Sequence, residues 1–207
     1  MTGRPERRGW ILGVLATTQL MVALDATVIS IALPQAQRSL GFSSANRAWP
    51  VTAYVLAFGS LLLLGGRLVD LWGRRTTLIV GLVGFAAASW VGGSAASFST
   101  LVWARVLQGL FGALLAPATL ATLSTTFSEP RERARAFSLY GILWGSGAAL
   151  GLLLGGALTQ WASWRYCLYV NVGFSVLALV GTGLVIEPGR DEGRTHLDAL
   201  GILLASA

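Results

Sequence analysis

Residues 10–33 read WILGVLATTQLMVALDATVISIAL, 24 positions of which only Asp25 is formally charged. A helix needs about 20 mostly apolar residues to cross about 30 Å of hydrocarbon, so this stretch predicts a membrane-spanning helix. Arg4, Arg7 and Arg8 precede it, as basic residues would precede a secretory signal. A signal's apolar region runs to only about 7–15 residues, however, and this one is longer, holds an acid and is followed by more apolar runs. It reads as a retained first helix.

Working outward, five further runs of spanning length cover residues 48–69, 76–96, 101–125, 136–160 and 166–186. Their connections are short, which predicts antiparallel neighbours in one compact bundle. The expected fold is all-α: a polytopic membrane protein with a six-helix transmembrane bundle over 1–187. A polar, Pro- and Gly-containing stretch, EPGRDEGRTHLD (187–198), suggests a cytoplasmic linker over 188–198. Residues 199–207 are apolar but would give only about 14 Å of helix, so they are expected to be the start of a truncated seventh helix.

Composition agrees with a bilayer as solvent. The 207 residues are 54% hydrophobic and 12% charged, with a mean hydropathy of +0.67. Soluble domains carry about 25% charged residues, and half that share would not coat a globule of this size. One Cys (Cys167) and one His (His196) exclude a disulfide framework or a zinc cluster. The net charge of +6 comes from 15 Arg and no Lys. Eleven of these (Arg4, Arg7, Arg8, Arg67, Arg74, Arg75, Arg131, Arg133, Arg135, Arg190 and Arg194) fall on one side of the alternating topology, and Arg38, Arg47 and Arg165 on the other. The excess of Arg marks the cytoplasmic side. The expectation is a multi-pass protein of the cell membrane with a cytoplasmic N-terminus. Trp10, Trp49, Trp72, Trp161 and Trp164 sit at predicted span ends, as interfacial rings do. The basic balance therefore calls for no nucleic acid partner.

Several residues exceed what a passive bundle needs. Asp25 is placed about 12 Å from the outer end of the first span and Arg105 about 6–10 Å from the same face on the fourth. An acid at such depth is costly and faces a cavity or a partner. Either the two form a titratable switch, in which protonated Asp25 releases Arg105, or they form a structural ion pair. Gln108 lies one turn from Arg105 and either fixes the guanidinium or bonds to another helix. Asn171 either lines a cavity or joins two helices. Asp70, near the C-terminal end of the second span, opposes the helix dipole unless it meets an Arg or another helix's N-terminus. Gly66 and Gly73 flank it, Gly73 permits a tight reversal, and Arg74 and Arg75 hold the loop in the cytoplasm. On the fifth span Gly147, Gly151 and Gly155 stack on one face, with Gly156 beside them, as a groove for close packing or a sliding interface. Pro34 and Pro117 punctuate the first and fourth helices, and Pro130 starts a cytoplasmic helix leading into the fifth. The chain has no phosphate-binding loop, no metal-ligand cluster and no nucleophile–base pair, so no cofactor, metal or enzymatic activity is expected.

Four blocks resemble the major facilitator superfamily, and its fourteen-helix drug:proton antiporter branch in particular: LDATVISIALP (24–34), GRLVDLWGRR (66–75), RVLQG (105–109) and GAALGLLLGG (147–156). The resemblance covers nearly the whole chain and implies the N-terminal half of that fold. It implies that Asp25 is a protonation or cationic-substrate site, with Arg105 as coupling partner. It implies that Asp70, Gly73, Arg74 and Arg75 latch the cytoplasmic side, and that the fifth-helix glycines meet a second bundle. Leu71 stands where a basic residue is common in the loop block, and Leu152 where Pro is usual in the fifth-helix block. The function so implied is proton-coupled efflux of amphipathic small molecules, some of them cationic, by two bundles rocking about a midplane site. The partners are lipid, substrate, protons and a missing C-terminal half or a second copy. The competing expectation is a truncated or half-size bundle without transport of its own.

Overall fold

A computed structural model describes residues 5–186, so the expected linker (188–198) and seventh helix (199–207), with His196, lie outside the described residues. Six long helices make up nearly all of it: α1 (Pro5–Leu40), α2 (Trp49–Trp72), α3 (Arg74–Gly93), α4 (Phe98–Thr126), α5 (Pro130–Trp161) and α6 (Tyr166–Val185). A short 3-10 turn, Ser44–Asn46, precedes α2, and no strand occurs among the described residues. All six are long and apolar enough to cross a membrane. Many large apolar side chains, among them Leu63, Leu153 and Leu184, point outward, which suits hydrocarbon as the surrounding solvent.

Helix ends differ from the sequence reading at the first and fifth helices. The first helix does not stop at residue 33 but continues past Pro34 to Leu40. Its extra turns are held by Gln35, whose amide donates to the Thr159 carbonyl (3.3 Å) and accepts from the Trp164 backbone N–H (2.7 Å). Pro117 sits inside α4, as in the span read over 101–125, because neighbouring helices in a bilayer protein offset the lost backbone bond. No separate cytoplasmic helix leads into the fifth span. Pro130 opens one unbroken 32-residue helix, about 48 Å long, where its missing N–H leaves nothing unsatisfied.

Glycines decide which helices pair. A Cβ at Gly65 would run into the Ala113 carbonyl, and one at Gly109 would come within 2.5 Å of the Tyr54 carbonyl, so α2 and α4 touch backbone to backbone. Helix α3 packs on α4 and α6, and α1 packs on α5 and α6. Sequence neighbours α1 and α2, or α2 and α3, are not main packing partners despite their short connections.

The interior is layered. One apolar cluster holds Val14–Val22 positions of α1 with Leu78, Leu82 and Phe85 of α3, Leu115 of α4 and Ala178 of α6. A second holds Val28 and Ile29 of α1 with Leu101 of α4 and Cys167 and Leu168 of α6. Asp25, Ser89, Arg105, Gln108 and Asn171 fall between them in sequence on four helices, and all five are fully buried.

Candidate proton-coupling site

That polar layer is the candidate site. Asp25 lies in the interior of α1, and its Oδ2 accepts from Arg105 Nη1 at 2.7 Å with both side chains fully sealed. Its Oδ1 accepts from Asn171 Nδ2 at 2.7 Å and from Gln108 Nε2 at 3.1 Å. Arg105 Nη1 also donates to Gln108 Oε1 (2.8 Å), and Nε donates to the Pro50 carbonyl at the start of α2 (3.2 Å). Gln108 Nε2 further donates to Ser89 Oγ at 2.8 Å, and Ser89 in turn donates to the Phe85 carbonyl at 2.7 Å. The guanidinium lies over the Tyr54 ring, 4.3 Å from its centroid, a favourable placement for a desolvated cation.

Three helices, α1, α4 and α6, thus meet at one carboxylate, and α2 and α3 join the network through Arg105 and Gln108. The charges cancel, and hydrogen bonds take up most of the remaining polar capacity, as a buried pair requires. Two buried atoms in this layer, Arg105 Nη2 and Asn171 Oδ1, have no partner among the described residues. Chemically, the carboxylate can take a proton, and doing so removes the negative charge to which three donors from α4 and α6 point.

The structure brings Asp25, Arg105, Gln108 and Asn171 together. Gln108 both fixes the guanidinium and bonds across helices, and Asn171 joins α6 to α1. The expected outer end at residue 33 misplaced the depth of Asp25: it lies 15 positions before the end of α1, about 22 Å. Ser89, Tyr54 and the Pro50 carbonyl were missed. A lone Ser, Tyr or Pro in an apolar run carries no signal of its own.

The loop residues lie elsewhere. Gly73 alone joins α2 to α3, with φ +81° and ψ 154°, a conformation that only glycine adopts readily. Arg74 donates to Thr125 Oγ1 of α4, and Arg75 reaches the Gly183 carbonyl of α6 at 3.5 Å. Arg7 caps the same end of α6 through the Val185 carbonyl (3.1 Å), which complements the helix dipole. Asp70 is exposed and meets neither an Arg nor a helix N-terminus among the described residues. Gly66 faces open space.

The fifth-helix glycines require a correction. The resemblance implies that they face a second bundle, yet Gly147, Gly151 and Gly155 are buried against α1 of the same bundle. A Cβ at Gly147 would stand 2.7 Å from that of Ala23, one at Gly151 would strike Thr27 Oγ1, and one at Gly155 would crowd Val28. Of the four, only Gly156 faces open space. The reason is spacing: a four-residue repeat of small residues lets the two helix backbones close together.

Six apolar helices thus surround a sealed acid–base layer. Residues 15–203 match the family model described as Major Facilitator Superfamily, and the chain belongs to that superfamily. It is 52% identical over 202 residues to the puromycin resistance protein pur8 of Streptomyces alboniger, covering 98% of this chain and 40% of that protein. It is 41% identical over 211 residues to the cephamycin export protein CmcT of Amycolatopsis lactamdurans, covering 100% of this chain and 43% of that one. The fold also matches the crystal structure of a bacterial homolog of the human lysosomal transporter Spinster, in an inward-facing and unoccupied conformation. That match has a TM-score of 0.74 and 20% identity over 98% of this chain and 49% of that chain. The chain spans about two fifths of the length of the curated relatives it matches. Its described helices form an N-terminal half bundle of the superfamily fold.

Proposed function

We propose that this chain is the proton-handling half of an exporter of amphipathic small molecules that works by alternating access. The observation that carries the reading is the Asp25 carboxylate, fully buried and held at 2.7 Å by both Arg105 and Asn171. An intramembrane acid that is paired and sealed is a functional site by default, and a proton relay is one use of such acids. The resistance and export names of the relatives support efflux, and family and relatives alike favour a transporter over an enzyme.

In the ionised state Asp25 ties α1 to α4 and α6. Protonation cancels the charge to which Arg105, Gln108 and Asn171 donate, which loosens α1 from both helices. Release of the proton to the other side restores the tie. The Gly73 joint, with Arg74 and Arg75 on the ends of α4 and α6, stiffens the cytoplasmic end, and exposed Asp70 is free to latch onto a second bundle. The arginine-rich end faces the cytoplasm, with the cell membrane as the site of action.

The test is pH-gradient-driven efflux from vesicles containing the full-length protein. Asp25→Asn is expected to abolish gradient-driven export of puromycin while membrane insertion persists. Export at the wild-type rate in that variant would refute the coupling role.

A further inference from the structure

We propose that Asn171 is the residue that follows the proton: its side-chain amide donates to Asp25 while the acid is ionised and turns over to accept from it once protonated. The inference rests on the proton-handling reading above and assigns a positioning role within the same site. Every described side chain hydrogen-bonded to Asp25 donates to it. Arg105 Nη1 faces Oδ2 at 2.7 Å, and Asn171 Nδ2 and Gln108 Nε2 face Oδ1 at 2.7 Å and 3.1 Å. This set suits a carboxylate, which only accepts. A proton added to Asp25 forms an O–H bond that needs an acceptor, and a buried hydroxyl without one is costly.

One of the three donors can become that acceptor. Arg105 has no acceptor atom. Gln108 is pinned at both ends: its Oε1 accepts from Arg105 Nη1 at 2.8 Å, and its Nε2 donates to Ser89 Oγ at 2.8 Å. Ser89 commits its own proton to the Phe85 carbonyl at 2.7 Å, so towards Gln108 it accepts. Turning Gln108 over would set donor against donor at Arg105. Asn171 is held at one end. It is fully buried, and its Oδ1 has no partner among the described residues. Rotation about its terminal torsion, which is broad and roughly two-fold, exchanges Nδ2 for Oδ1 and breaks only the bond to Asp25. The N–H···O⁻ bond is then replaced by O–H···O=C, with the new proton on Asp25 Oδ1.

Few other groups face the acid. At the level of Asp25, α4 supplies Arg105 and α2 supplies Tyr54, whose ring carries the guanidinium. On α6 the Cys167 thiol, one turn from Asn171, points to the Gly155 carbonyl. Helix α5 meets α1 there through Gly147 and Gly151, and α3 presents Ser89. Protonation therefore acts unequally on the helices. It loosens α1 from α4 and α6 alike, but the turned amide binds α6 again, while Arg105 on α4 has lost its counter-charge. The proton frees α4 and keeps α6 attached to α1.

The experiment is infrared difference spectroscopy of the full-length purified protein on acidification, with the side-chain carbonyl of asparagine labelled with carbon-13. The acid C=O band of protonated Asp25 is the one missing from Asp25→Asn. In the wild type a labelled asparagine carbonyl should move to lower wavenumber as that acid band rises, because the carbonyl passes from no hydrogen bond to accepting one. Asn171→Gln, which keeps the amide but carries no label, should remove this signal. Asn171→Leu, which offers no acceptor, should move the acid band to higher wavenumber. A labelled carbonyl that stays in place, or whose shift survives in Asn171→Gln, overturns the proposal, as does an unmoved acid band in Asn171→Leu. The label is read in the wild type itself, so the test does not depend on the Leu variant folding. Absence of any Asp25 acid band would defeat the coupling reading as well, whereas an acid band without an asparagine shift defeats this proposal alone.

Discussion

Removing one partner of the Asp25–Arg105 pair should produce two unequal losses of stability. Both side chains are fully sealed and 2.7 Å apart, and breaking such a pair from one side costs about 3–5 kcal/mol. In Arg105→Gln the stranded group is a carboxyl, which escapes its penalty by taking a proton. Gln108 and Asn171 remain to bond it. In Asp25→Asn the stranded group is a guanidinium, which cannot shed its charge and keeps only neutral acceptors: the Pro50 carbonyl, Gln108 Oε1 and the introduced amide's oxygen. Arg105→Gln, whose stranded group can be neutralised, should therefore lose less stability than Asp25→Asn, whose stranded group cannot. The double variant Asp25→Asn/Arg105→Gln strands no charge and should recover most of the loss, a coupling of the kind seen between contacting residues. Unfolding of the full-length protein in detergent, titrated with SDS, reads all four forms. Single variants that cost under about 1 kcal/mol, or losses that simply add in the double variant, would refute the sealed-pair argument.

Three further outcomes follow from the packing and the topology. Gly151→Val should lower stability by about 1–3 kcal/mol, the usual cost of overfilling a tight contact, because its side chain meets Thr27 and the Leu24 backbone. Gly156→Val, facing open space, should be near neutral in the same thermal unfolding assay. Gly73→Ala should cost about 1–3 kcal/mol from backbone strain alone, given φ +81° at the α2–α3 joint, and is read as a drop in melting temperature. Cys167 is buried and should ignore a membrane-impermeant maleimide. Ser44→Cys should then label from outside intact cells and Ala134→Cys only after lysis, and the reverse pattern would invert the proposed orientation.

Much of the scaffold is legible in the residue pattern, because six long apolar runs have few other physical meanings. Their ends are not. Pro34 looks like a break, yet it lies inside a helix where packing against neighbours offsets the missing N–H, and Pro130 opens a longer helix than the apolar run alone suggests. Asp25 and Arg105 announce themselves as charges in an apolar stretch. Their partners Ser89 and Tyr54 do not, since each belongs to a residue type that membrane helices carry for many reasons. The glycine repeat of α5 declares a close contact by its spacing. Which helix it contacts depends on the whole arrangement, and the answer was α1.

The layered interior has an electrical consequence. Two apolar clusters flank the Asp25 layer, so they insulate it from each face by only part of the hydrocarbon thickness. A full crossing by one elementary charge is worth about 2.3 kcal/mol per 100 mV. A hydrogen ion that enters from one face and leaves by the other thus spends the voltage in two instalments, one on arrival at the carboxylate and one on departure. On the proposed route, membrane potential would speed both the loading and the unloading stroke.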